Sequence, residues 1–185
     1  MRIISGTHKG RKLIAPKKLP VRPTTDMAKE SLFNILRNRY QLSTLRVLDL
    51  FSGTGNLSYE FASRGVQQIT AVDAHSGCIQ YINKTATELE MPIETFKSDA
   101  YAFLSREKNS YDIIVADPPY DFEDSQFIEI INLVFDNDLL KPEGSLILEH
   151  SKHTDLQNIR NFNELRKYGG SAFSFFKNPD TSNDN

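Results

Sequence analysis

One cysteine, Cys78, is all that this 185-residue chain contains, so no intrachain disulfide can form and a reducing compartment is favoured. No apolar run approaches the roughly 20 residues of a membrane span. Met1-Arg2-Ile3-Ile4 leads into polar and basic residues rather than a signal-peptide core, so a cytoplasmic protein without membrane contact is expected. There is no internal repeat or low-complexity tract, and the length leaves no room for a second large domain. Metal ligands are sparse as well. His8, His75, His150 and His153 are scattered without zinc spacing, so no metal is expected and His150 and His153 read as surface groups. Cys78, on a helical pattern, reads as a small packed residue.

The last scarcity is local. Residues 1–25 contain no acid but hold Arg2, Lys9, Arg11, Lys12, Lys17, Lys18 and Arg22, which leaves 15 of the 22 basic residues against all 24 acidic ones in the rest of the chain. The overall charge of −2 hides this asymmetry. It suggests a basic arm that meets a polyanion, the alternative being a merely solvated segment.

With 39% hydrophobic residues the chain can build one real core. Arg2-Ile3-Ile4 and Arg11-Lys12-Leu13-Ile14, joined through Gly6 and Lys9-Gly10, read as a short hairpin. Pro16, Pro20 and Pro23 punctuate a linker. A helix should then start at Thr25 or Asp26, with Ala28, Ser31, Leu32, Ile35 and Leu36 on one face and Lys29, Glu30, Arg37 and Asn38 on the other. This places an N-terminal appendage over residues 1–40, a main domain over 41–177 and a frayed polar tail over 178–185. In the main domain, strand-like runs at 46–51, 68–73, 93–97, 111–117, 145–149 and 172–176 alternate with helical patterns at 57–64, 76–89, 100–106 and 125–135. Phe173, Phe175 and Phe176 read as core of the last strand. The alternation predicts an α/β fold: a parallel sheet covered on both faces, with ligands at the carboxyl ends of the strands.

Chemistry concentrates at those ends. Val47 to Asn56 is a buried strand turning through Gly53-Thr54-Gly55 into a helix, and the glycines permit a tight turn and close approach of a ligand. Ser58 replaces the third glycine of a dinucleotide fingerprint. Asp49 would repel a pyrophosphate but suits a cationic amino acid group, as in S-adenosylmethionine, which disfavours a nicotinamide dehydrogenase. Asp73 closes the next strand and can accept from ribose hydroxyls. Asp99 can bond an adenine amino group while Ala100 leaves room for the ring, although Asp99 also suits a helix N-cap. Asp117-Pro118-Pro119-Tyr120 then follows a fourth apolar run. The aspartate and the carbonyl of Pro118 can accept from a planar exocyclic amine while Tyr120 offers a stacking face; the alternative is a stiff turn.

Through Asp49-Leu50-Phe51-Ser52-Gly53-Thr54-Gly55 and Asp117-Pro118-Pro119-Tyr120 the chain resembles the class I S-adenosylmethionine-dependent methyltransferases. Arg2-Ile3-Ile4-Ser5-Gly6, Gly10-Arg11-Lys12-Leu13, Arg22-Pro23-Thr24-Thr25-Asp26 and Glu30-Ser31-Leu32-Phe33-Asn34-Ile35-Leu36 resemble, more narrowly, the RsmD family of 16S rRNA guanine-N2 methyltransferases. This likeness runs from residue 1 to about 177. It implies a seven-stranded Rossmann-like fold, S-adenosylmethionine as donor and a guanine of 16S rRNA as acceptor; free 16S rRNA and an assembling small subunit both stay open as substrate, and a monomer is expected. Asp49, Phe51, Ser52, Gly53, Thr54, Gly55, Asp73, Ala74, Asp99 and Ala100 would line the cofactor, with Arg22 and Thr24 close by. Asp117, Pro118, Pro119 and Tyr120 would hold the base, and Arg2, Lys9, Arg11, Lys12, Lys17 and Lys18 the RNA. The same clamp would serve a DNA adenine or cytosine methyltransferase or methylation of a glutamine side chain, and a non-catalytic RNA-binding module of this fold is a further alternative.

Overall fold

The computed structural model describes residues 1–20 and 24–179. Seven strands form one sheet in the order β3-β2-β1-β4-β5-β7-β6. They are β1 (Arg46–Leu50), β2 (Gln68–Asp73), β3 (Ile93–Lys97), β4 (Tyr111–Ala116), β5 (Leu140–Ser151), β6 (Phe162–Tyr168) and β7 (Ser171–Phe176). The first five run parallel, and β7 lies antiparallel between β5 and β6. Helices α1 (Asp26–Arg39), α2 (Asn56–Ser63), α3 (Ser76–Glu88), α4 (Ala100–Arg106) and α5 (Asp124–Asp136) accompany them.

Alternation along each central strand divides the apolar residues between two cores. Val47, Ile113, Val115 and Ile147 join Leu32, Phe33, Leu36, Phe61 and Ile82 from α1, α2 and α3 on one face. Leu48, Leu50, Ile114 and Leu146 join Phe103, Leu104, Ile130 and Ile131 from α4 and α5 on the other. Burial on both faces is what makes these strands read as near-continuous apolar runs. The chain leaves β1 toward β2 and β3, then crosses to β4 on the opposite side. The cleft between the carboxyl ends of β1 and β4 is therefore the topological switch point, where such sheets bind ligands.

Two expectations need correcting. Lys29, placed on the polar face of α1, is fully buried beside Ala28 and Leu32. Its Nζ donates to the Arg2 carbonyl at 2.6 Å and to Asn56 Oδ1 at 2.9 Å, and lies 3.3 Å from Glu60 Oε2. Burial pulls its pKa down and Glu60 pushes it back up. Periodicity could not reveal this, because a buried charge depends on partners remote in sequence. The second concerns β6, which was not foreseen, because Glu164, Arg166 and Lys167 give a charged edge strand no apolar signature.

The expected N-terminal hairpin is present in outline. An isolated antiparallel bridge joins Arg2 and Lys12, and backbone bonds run from Ile3 N–H to Arg11 O at 3.0 Å and from Leu13 N–H to Met1 O at 3.0 Å. The segment is bound to α2 by its main chain. Ile4 and Ser5 N–H donate to the Glu60 carboxylate at 2.9 and 3.1 Å, and Thr7 N–H donates to the Ser63 carbonyl at 2.8 Å. Gly6 adopts φ +85°, and a Cβ there would stand 1.8 Å from that carbonyl oxygen. Only glycine permits this approach.

Candidate active site

The loop after β1 takes positive φ at Phe51, Gly53 and Gly55, and of these only Phe51 is strained. Phe51 takes φ 57°, a conformation that non-glycine residues rarely adopt, and its ring packs edge-on to Phe122 with centroids 5.4 Å apart. Gly55, at φ +87°, precedes α2. A Cβ on Gly55 would stand 2.8 Å from the Tyr59 ring and 3.0 Å from Ile82, so helix packing demands a glycine here. The loop is tied to β2 through Ser52 N–H to the Val72 carbonyl at 3.0 Å and Gly53 N–H to Asp73 Oδ2 at 2.8 Å. Asp73 Oδ1 accepts from His75 N–H at 2.8 Å, which fixes the carboxylate at the end of β2.

A cavity of about 720 Å³ opens beside this loop. It is lined by Asp49, Phe51, Ser52, Gly53, Thr54, Asp73 and Ala74 on one side and by Thr24, Asp117, Pro118, Pro119, Tyr120 and Glu149 on the other. Cofactor loop and aspartyl-diprolyl corner thus share one space, within the size range of ligand pockets. Asp49 is 2% exposed and accepts from Ser58 Oγ at 2.6 Å. Burial, reinforced by the charges of Asp117 and Asp73 and opposed by the Ser58 bond, pushes its pKa up to about 7. Ser58, noted in the sequence only as a lost glycine, is therefore the residue that orients this acid.

A nearly buried carboxylate on the wall of an open cavity favours a cationic ligand, and the fixed Asp73 carboxylate suits ribose hydroxyls. These residues fit S-adenosylmethionine. Three of the sequence candidates stand apart, the first being Gly55, which does not line the cavity. Asp99 is exposed, caps α4 by accepting from Ala102 N–H at 3.0 Å, and does not line the cavity; nor does Ala100. Arg22 lies outside the described residues. Arg2, Lys9, Arg11, Lys12, Lys17 and Lys18 are all exposed, and Arg2 pairs with Asp26 at 3.1 Å.

The corner itself continues β4. Ala116 pairs with Leu148 of β5, so Asp117 and Glu149 emerge side by side one residue beyond. Thr24 Oγ1 lies 3.0 Å from Asp117 Oδ2 and 3.3 Å from Glu149 Oε2, as a donor shared between them. Tyr120 is 79% exposed, its ring turned outward where a base could stack. Glu149 was missed as a site residue although it closes the apolar run 145–149 read from the sequence; in the structure it lies two residues before the end of β5. The same strand-end rule would have found it.

His150 is also corrected. It is buried on β5, not on the surface, and its Nε2 lies 2.7 Å from Ser174 Oγ; burial pulls its pKa down. Cys78 is buried as expected, and burial pushes its thiol up to about 11, far from a nucleophile's range. Among the described residues no group of His, Cys, Asp and Glu could hold a metal ion, and no helix is long and apolar enough to cross a membrane.

Such a sheet, with an acid buried beside the glycine loop and the Asp-Pro-Pro-Tyr corner across one cavity, defines a class I S-adenosylmethionine-dependent methyltransferase. Comparison with known proteins narrows the class. The family model described as Conserved hypothetical protein 95 matches residues 1–177. YlbH of Bacillus subtilis is 31% identical, with 96% of this chain and 98% of that protein covered. Ribosomal RNA small subunit methyltransferase D of Escherichia coli is 32% identical over 86% of this chain and 79% of its own. The structure of the Escherichia coli protein yhhF superposes with a TM-score of 0.83 at 28% identity, covering 95% of this chain and 96% of that one. The chain belongs to this family, the RsmD family, as the N-terminal motifs implied.

Proposed function

We propose that the protein methylates the exocyclic N2 amine of a guanine in 16S rRNA, as a cytoplasmic monomer acting on free rRNA or on an assembling small subunit. The observation that carries this reading is the shared cavity in which the Asp49 loop faces Asp117. Support for the rRNA substrate comes from relatives whose names specify the small-subunit RNA. When bound, S-adenosylmethionine supplies an electrophilic methyl on a sulfonium. Asp49 would hold its cationic end and Asp73 its ribose, in the same cavity as the aspartyl-diprolyl corner. The guanine leaves its stack and lies against Tyr120, as enzymes acting on one base require. Asp117 and the Pro118 carbonyl would accept from the two N2 hydrogens, which lets the nitrogen pyramidalise and frees its lone pair for attack. Held there, the donor would supply the methyl and depart as a neutral thioether, and Asp117 would stabilise the positive charge developing on N2, whose proton is lost to solvent. Residues 1–40 form the RNA-facing part, with Arg2, Lys9, Arg11, Lys12, Lys17 and Lys18 on phosphates.

The test is labelled methyl transfer into purified small subunits, free 16S rRNA, DNA and protein, with digestion of the product to nucleosides. N2-methylguanosine confined to 16S rRNA is the expected product. Label recovered as methyladenosine or methylcytidine, or in protein, overturns the assignment.

A further inference from the structure

Resting on that reading, we infer that Glu149 is the residue that tells guanine from the other bases, by accepting the hydrogen of ring nitrogen N1. Asp117 cannot do both jobs. With Asp117 and the Pro118 carbonyl engaged by the two N2 hydrogens, the neighbouring N1–H is a third donor on the same edge and needs its own acceptor. Glu149 supplies one from the adjacent strand. It is 8% exposed, lines the cavity, and shares the Thr24 hydroxyl with Asp117, which brings the two carboxylates to one wall.

The arithmetic of donors and acceptors then selects the base. Guanine offers adjacent N1–H and N2–H donors. Adenine and cytosine carry an amine beside a ring nitrogen that is itself an acceptor, so a second carboxylate would face a lone pair. Burial sharpens the penalty, because a site built for a hydrogen bond rejects a ligand that cannot make it far more strongly than a merely apolar pocket can. Asp117 alone would grip the amine of any of these bases; Asp117 with Glu149 fits guanine.

2-Aminopurine separates the two jobs, since it keeps the 2-amine but has an acceptor at N1. Small subunits are reconstituted with rRNA ligated around a synthetic segment that carries guanine or 2-aminopurine at the mapped target, and single-turnover rates are measured for wild type, Glu149→Gln and Glu149→Asp. Wild type should prefer guanine. In Glu149→Gln the amide can donate to N1 of 2-aminopurine, so the guanine to 2-aminopurine rate ratio should fall by about a hundredfold, the order expected for one good base-edge contact made or broken. Glu149→Asp keeps an acceptor and should retain the guanine preference at a lower rate. Calorimetric S-adenosylmethionine affinity near wild type shows that the variants are folded. A guanine to 2-aminopurine rate ratio unchanged in Glu149→Gln overturns the role of Glu149 while wild-type formation of N2-methylguanine leaves the function standing. Absence of N2-methylguanine from the wild-type reaction overturns both.

Discussion

Asp49→Asn is the most discriminating perturbation of the cofactor lobe, because it should weaken the ligand and strengthen the fold together. With its pKa at about 7, roughly nine in ten Asp49 carboxyls are ionised at pH 8 and about one in a hundred at pH 5. If only the carboxylate binds the cationic end of S-adenosylmethionine, the wild-type Kd should rise tenfold per pH unit below about 7 and close to a hundredfold by pH 5. The asparagine variant should lose about 1.5–3 kcal/mol of binding at pH 8, the worth of a charge-assisted hydrogen bond, and its affinity should not vary with pH over that range. The sign for stability is opposite. An acid whose pKa rises on folding opposes folding when ionised, so Asp49 costs stability above about 7 and the cost fades as pH falls toward 3.8. At pH 8 the difference of about three units corresponds to at most about 4 kcal/mol. The ligand-free variant, whose side-chain oxygen can still accept from Ser58, should therefore melt several degrees above wild type. Calorimetric titration from pH 5 to 8 and thermal melts without ligand check both arms. A wild-type affinity flat with pH, or a variant less stable than wild type at pH 8, refutes the reasoning.

Asp117→Ala should lower single-turnover methylation at least about a thousandfold while leaving calorimetric S-adenosylmethionine affinity within about threefold, because it removes an acceptor used in the transition state; retained turnover sinks its role. Replacing Arg11 and Lys12 together by Ala should weaken RNA binding and reduce the slope of log affinity against log salt by about two. A slope unchanged in filter binding would show the arm to be idle. Lys29→Ala leaves Glu60 buried but still paired with Arg64 at 2.8 Å, so a loss of about 3 kcal/mol is expected, at the low end for breaking a buried pair. Urea unfolding that shows a loss below about 1 kcal/mol contradicts this.

Where apolar periodicity was the signal, the sequence was a reliable guide. β2 and β3 begin and end at the expected residues, as does α4, because each is bounded by an acid, a glycine or a proline. The strand-end rule brought Asp49, Asp73 and Asp117 to one cavity, whereas Asp99 lies outside that lining and its side chain caps α4. Polar groups working through distant partners were illegible. Lys29 finds Glu60 across two helices, Ser58 finds Asp49, and Thr24 reaches Asp117 from 93 positions away. No local pattern encodes such pairs. β6 failed for the converse reason: an edge strand needs charge to stay unpaired, and charge hides it.

The N-terminal segment is fastened to α2 through peptide N–H groups on Glu60 and Ser63, not through the guanidinium and ammonium groups it displays. Its route over the body is thus set by main-chain bonds and by the buried Ile3 and Leu13, not by the exposed basic side chains at 9, 11 and 12. Those three can be exchanged while Gly6 keeps the trace in place. The arm is a printed surface on a fixed plate, open to revision without any cost to the fold beneath.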